Sequence, residues 1–227
     1  MRKYPWVLIW SCIFFVSQGC GVLKYRPQKP LLTPGEYNDL GVTYENQAQY
    51  ELAIKAYKKA LEIQKNYLTA WINLGNVYSR MKDYPKAEKA YRQALRIDRS
   101  SWIARNNLAW IYVEQKKNLE TALTLVENCT DMTSEYRSYC LDTLGMIHYY
   151  NGNSNKALAL ITEAIQSTSP EQSTLRSQQY FHLGMIYLSQ QEKDKAIQCF
   201  RRSIESEPGS GWAEKAREQL RFLQVTD

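Results

Sequence analysis

Residues 37–61 read YNDLGVTYENQAQYELAIKAYKKAL, and residues 71–95 read WINLGNVYSRMKDYPKAEKAYRQAL. Laid over one another, they set Tyr37 on Trp71, Leu40 on Leu74, Gly41 on Gly75, Tyr44 on Tyr78, Ala53 on Ala87, Tyr57 on Tyr91 and Ala60 on Ala94. Gly41 and Gly75 stand 34 residues apart. A glycine inside a helix costs about 1 kcal/mol relative to alanine, so glycines recurring in one phase need a compensating reason. Close helix crossing supplies it. With no side chain at Gly41, Gly75, Gly145 and Gly184, a second helix is expected to approach each through its small Ala53, Ala87, Ala157 or Ala196. Tyr44, Tyr78, Tyr57 and Tyr91 are expected to fill the space between neighbouring pairs.

Three looser copies follow. Leu108, Ala109 and Tyr112 keep the first helix of a third, but its second-helix alanine, Ala122, comes one residue late, which places a lengthened loop at 116–119. The fourth carries Leu141, Leu144, Gly145, His148, Ala157, Ile161 and Ala164, and the fifth Tyr180, Leu183, Gly184, Tyr187, Ala196, Phe200, Ser203 and Pro208. Five extra residues separate their glycines and are expected in a polar surface turn around 167–172, which contains Pro170.

Period and identities together resemble the tetratricopeptide repeat (TPR), a helix-turn-helix unit of 34 residues with a Trp, Leu-Gly, Tyr, Ala and Phe pattern. The resemblance implies an all-α fold, an α-solenoid of about five repeats at about 34–67, 68–101, 102–137, 138–171 and 177–210. One pair alone cannot bury its apolar face, but stacked pairs share a continuous core. After Pro208 and Gly209, Trp212, Ala216, Leu220 and Leu223 form the apolar stripe of one more helix, expected to cap the stack within 211–227.

The first 33 residues differ in kind. Arg2 and Lys3 precede an apolar stretch, Trp6 to Val16, that is too short for a bilayer span of about 20 residues but matches a signal-peptide core. Val16-Ser17-Gln18-Gly19-Cys20 closes it and resembles the lipobox of bacterial lipoproteins, although Ser17 stands where Leu is usual. That resemblance implies a signal peptide at 1–19, acylation of Cys20 and a lipid anchor. Gly21, where inner-membrane retention would want Asp, is similar to lipoproteins delivered to the outer membrane, facing the periplasm. An uncleaved anchor extended towards Leu23, or ordinary cleavage leaving Cys20 a free thiol, stay open as alternatives. Residues 20–33 hold Pro27 and Pro30, and at about 3.1 Å per residue such a tether reaches roughly 40 Å.

The chain is 44% hydrophobic and carries a formal net charge of +6, or +4 without Arg2 and Lys3, with 27 basic against 23 acidic residues. Runs such as Lys55, Lys58, Lys59 read as a solvated face, and no nucleic-acid partner is expected. The sequence contains no phosphate-binding glycine loop, no CxxC pair and no HExxH, and its two histidines mark neither a metal site nor a triad. Hence no enzyme activity, cofactor, metal or small-molecule substrate is expected. His148 takes a core position and is expected to be buried and hydrogen-bonded. Cys129 and Cys140 flank one turn, so a disulfide between them is geometrically possible in an oxidising periplasm, with buried free thiols as the alternative.

In TPR proteins the stacked first helices line a groove that holds a peptide or partner helix. By register, the positions free of core duty are Asn38 and Val42, Ile72, Asn73, Asn76 and Arg80, then Asn106, Asn107 and Trp110, then Asp142, Met146 and Tyr149, and finally Phe181, His182 and Met185. Asn73 and Asn107 offer donor and acceptor groups to an extended backbone. The later positions, aromatic and Met-rich, suit an amphipathic helix. The carboxylate clamp of chaperone-binding TPR domains is missing: Asn73 fits, but Val42, Ile103 and Asn107 stand where Asn, Lys and Arg are needed. A membrane-tethered scaffold for an envelope assembly machine, as in type IV pilus lipoproteins, is the leading expectation. An adaptor bringing a periplasmic hydrolase or protease to its substrate, and an uncleaved cytoplasmic scaffold, are the alternatives.

Overall fold

The computed structural model describes residues 32–127 and 136–224. Among them, eleven α-helices and no strands occur: α1 (Pro34–Asn46), α2 (Tyr50–Ile63), α3 (Leu68–Arg80), α4 (Tyr84–Ile97), α5 (Trp102–Gln115), α6 (Leu119–Val126), α7 (Arg137–Tyr150), α8 (Ser154–Ser167), α9 (Ser173–Ser189), α10 (Lys193–Ser206) and α11 (Gly211–Phe222). None of these helices is long and apolar enough to cross a membrane. Residues 1–19, Cys20, the tether up to Leu31 and Cys129 lie outside the described residues.

Local chemistry starts the helices where the sequence allows it. Thr33 opens α1 with a reciprocal capping box: its Oγ1 accepts from the Glu36 amide at 3.2 Å, and Glu36 Oε2 accepts from the Thr33 amide at 2.7 Å, with Pro34 in the first turn. Asp83 caps α4 by accepting from the Lys86 amide, and Ser210 caps α11 by accepting from the Ala213 amide at 3.0 Å.

Within four of the five pairs the turn contains one left-handed residue, Ala48, Lys82, Gly152 or Gln191. In the third, Lys116 takes that place and Asn118 is a second left-handed residue before α6 begins. Counted in register from Ala109, Asn118 is the additional residue before α6, but the loop keeps three residues like the others because α5 runs one residue longer, so the expected lengthening of the loop itself does not occur. The five extra residues near 167–172 fall differently. The turn between α8 and α9 gains a single residue relative to those before α3 and α5, and the other four lengthen α9 at its start, which brings Leu175 into the core.

Each helix packs on its pair mate and on the next pair, and the first helices α1, α3, α5, α7 and α9 also touch in succession, so they line one face. The glycines make the pairs close, although through a different partner from the alanines expected. A Cβ added at Gly41 would lie 2.4 Å from Tyr57 Cε1, one at Gly75 2.5 Å from Tyr91 Cε1, and one at Gly184 2.6 Å from Phe200 Cε1. Ile161 covers Gly145 in the same way. The large side chain therefore lies across the glycine, while Ala53, Ala87, Ala157 and Ala196 sit fully buried beside it. In the third pair Ala109 replaces the glycine, and the aromatic position holds the smaller Val126. The two substitutions offset in volume.

Helix α11 packs on α10 and α9 through Ala213, Ala216 and Leu220, which are buried. Cys199 is buried, and its thiol is pushed up to about 11 by burial. His148 is buried as expected, but neither ring nitrogen has a hydrogen-bond partner among the described residues. Burial, with Lys156 nearby, lowers its pKa and keeps it neutral.

Candidate functional site: a groove along the first helices

Two cavities lie along the face of the first helices and share Trp110. The first, about 290 Å³, is lined by Asn76, Ser79, Arg80, Tyr91, Asn107 and Trp110. The second, about 380 Å³, is lined by Trp110 and Val113 of α5, Met146, Tyr149 and Tyr150 of α7, Phe181, His182 and Met185 of α9, Trp212 and Lys215 of α11, together with Lys82, Tyr84 and Glu114. Nine of the expected groove residues thus come together: Asn76, Arg80, Asn107, Trp110, Met146, Tyr149, Phe181, His182 and Met185. Asn38, Asn73 and Asn106 line neither cavity.

The asparagines are placed differently from the expectation that they grip a ligand backbone. Asn73 Nδ2 donates to Asn38 Oδ1 at 3.0 Å, and Asn107 Nδ2 donates to Asn76 Oδ1 at 2.9 Å. Asn76 Oδ1 also accepts from Tyr91 Oη at 2.9 Å. Half-buried amides on successive first helices satisfy one another, because an unpaired amide there would cost about 1–3 kcal/mol. The ladder ties repeats together. Asn106 is buried, and its Oδ1 has no partner among the described residues. Arg80 is held by Glu45 at 3.4 Å, and Glu45 also accepts from Tyr57 Oη at 2.8 Å.

The second cavity is built around His182, which is 2% exposed. Its Nδ1 lies 2.9 Å from Asp142 Oδ1, and Gln178 Nε2 donates to Asp142 Oδ2 at 2.8 Å. Asp142 is 1% exposed, so this carboxylate works below the groove surface as an anchor for the imidazole. Three aromatic rings surround that imidazole, with centroids at 5.4 Å for Trp110, 6.0 Å for Phe181 and 5.0 Å for Trp212. Trp212 also meets Phe181 at 5.6 Å and Trp110 at 6.2 Å. Lys215 Nζ stands 3.8 Å from the centre of the Trp212 ring, and desolvation by the surrounding walls lowers its pKa. On the same cavity wall Tyr84 Oη donates to Glu114 Oε2 at 3.1 Å.

Sequence register missed Trp212 and Lys215 because α11 was assigned to capping alone. A tryptophan on a helix otherwise closed by alanines was the available signal. Among the described residues no group of three or more His, Cys, Asp or Glu is placed to hold a metal ion.

Family models described as tetratricopeptide repeat match residues 37–100 and residues 178–210. The chain carries tetratricopeptide repeats in both matched stretches. The matched stretches hold the first two TPR units and the last. Among solved structures, Pseudomonas aeruginosa PilF is 20% identical with a TM-score of 0.63, over 84% of this chain and 91% of that one. PilW, described as a widely conserved type IV pilus biogenesis factor, is 16% identical with a TM-score of 0.66, over 83% and 92%. YrrB, described as a TPR protein with an unusual peptide-binding site, is 20% identical with a TM-score of 0.53, over 80% and 90%. At these identities the likeness is one of fold. No curated protein matches the chain significantly. Stacked tetratricopeptide repeats present an extended concave surface of the kind that supports protein–protein contact.

Proposed function

We propose that this chain is a non-catalytic, lipid-anchored TPR scaffold of the bacterial envelope, whose groove holds one segment of an assembly complex such as pilus or secretion machinery. The observation that carries the reading is the ring cluster of Trp110, Phe181, His182 and Trp212, open along one cavity and flanked by Met146 and Met185. Half-buried aromatic clusters that open on a cavity beside adaptable methionines favour an apolar anchor on the partner. Lys82 and Lys215 on the cavity wall favour an acidic neighbour beside that anchor. An amphipathic helix with an aromatic and a carboxylate on one face meets both demands.

Anchoring through Cys20 follows from the lipobox-like Gly19-Cys20 after an apolar stretch, and outer-membrane delivery from Gly21. Fold likeness to PilF and PilW supports a role in pilus assembly. Affinity capture with wild type against a Trp110→Ala, Phe181→Ala, Trp212→Ala variant tests the groove. Loss of one partner from the captured set is expected, and an unchanged set overturns the reading. For the anchor, palmitate labelling should vanish in Cys20→Ser; labelling that persists contradicts lipidation at this residue.

A further inference from the structure

A third cavity, about 490 Å³, lies between α4, α5 and α6 and shares no lining residue with the groove. Arg92, Arg96, Arg99 and Arg105 wall it, over a floor of Leu95, Leu108 and Leu125. The guanidinium of Arg92 is engaged internally: Nε donates to Glu88 Oε1 at 2.7 Å and Nη2 to Tyr112 Oη at 3.1 Å. Arg96, Arg99 and Arg105 have no ion pair with a carboxylate among the described residues.

Helix chemistry accounts for only part of this cluster. Arg96 in the last turn of α4 complements the helix dipole, and Arg99 follows just beyond it. Arg105 sits near the start of α5, a helix with no acidic residue in its first turn, where a cation opposes the dipole. Holding like charges around one cleft costs folding free energy unless an anion enters it. All four cations are arginines, whose planar forks pair bidentately with carboxylates. The leucine floor, in turn, asks for apolar side chains on the same occupant.

We infer that this cleft docks an acidic and apolar segment of a second protein partner, its carboxylates on Arg96, Arg99 and Arg105 and its leucine or phenylalanine side chains on Leu95, Leu108 and Leu125. The inference does not rest on the groove reading. With both surfaces occupied, the chain joins two partners, as an adaptor does.

The test uses the full chain carrying Trp110→Ala, Phe181→Ala and Trp212→Ala, so that the groove is disabled, as bait for random short peptides displayed on phage. Selected peptides should alternate Asp or Glu with Leu or Phe. They should bind about tenfold or more weakly to the same bait with Arg96→Gln, Arg99→Gln and Arg105→Gln, lose affinity as salt rises, and keep intermediate affinity with lysine at those positions. Circular dichroism unchanged between baits confirms that the comparison reports the surface. Failure to select peptides, selection without acidic enrichment, or equal binding to the glutamine variant overturns the inference. Retention on phosphatidylglycerol vesicles through the same arginines, without peptide binding, overturns it in favour of a membrane contact.

Discussion

The imidazole of His182 and the indole of Trp212 stand edge to face, centroids 5.0 Å apart at 78°. One belongs to the last repeat and the other to the helix that closes the stack. The closing helix is therefore also a wall of the groove.

Trp212→Ala removes that wall while Ala213, Ala216 and Leu220 keep α11 docked. Affinity for the groove partner is expected to fall about tenfold or more, in the manner of an aromatic hot spot. Thermal unfolding should shift by only a few degrees, roughly what about 1 kcal/mol produces. Calorimetric titration and a thermal melt of the same variant separate the two effects.

Asp142 receives His182 and Gln178 while almost fully buried. Asp142→Ala leaves both buried groups without their acceptor and should destabilise the fold by about 3 kcal/mol. Asp142→Asn keeps one acceptor oxygen and should cost roughly half as much by the same reasoning. Urea denaturation of the two variants checks the order, and little loss of stability in either would show that Asp142 does not hold these groups for the fold.

At Gly75 an added Cβ would meet Tyr91 Cε1 at 2.5 Å, and Tyr91 is both buried and hydrogen-bonded to Asn76. Overpacking of about 1–3 kcal/mol is expected for Gly75→Ala, more than the helix propensity of about 1 kcal/mol returns. Gly75→Leu should melt the array locally. The natural pair Ala109 with Val126 indicates how the strain is relieved. In a double-mutant cycle, Gly75→Ala should therefore cost less in a Tyr91→Val background than alone.

Tyr57 is buried, and burial first, then its hydrogen bond to Glu45, raises its pKa above the ordinary 10.0. Because the folded state holds this proton more tightly than the unfolded chain, its contribution to stability is present below about pH 10 and is lost as pH rises beyond that value. Tyr57→Phe should flatten the alkaline decline, at a cost of about 1 kcal/mol near neutrality from the lost hydrogen bond. Denaturation curves across the alkaline range test the slope.

The paired helices could be read in advance because their determinants recur locally. Gly41 with Tyr57 and Gly75 with Tyr91 keep one spacing, and the late Ala122 announced the residue inserted at Asn118. Direction of contact was less accessible. Alanines were expected to meet the glycines, whereas the aromatic rings do, because a ring one turn further along the second helix reaches back across the bare backbone. The five residues near 167–172 were expected in a loop, yet four extend α9, since helix there buries Leu175 and pairs Gln179 with Thr168 at 2.9 Å.

By itself, the sequence determined an all-α chain of repeats, their number and the face that forms a groove, since period and residue size are properties of each unit. Tertiary structure alone decided what that face presents. Asn38, Asn73, Asn76 and Asn107 bond one another across repeats, and Trp212 enters from the closing helix. Both outcomes depend on distances between residues far apart in the chain, where hydrogen-bond satisfaction and ring packing, rather than helical register, select the arrangement.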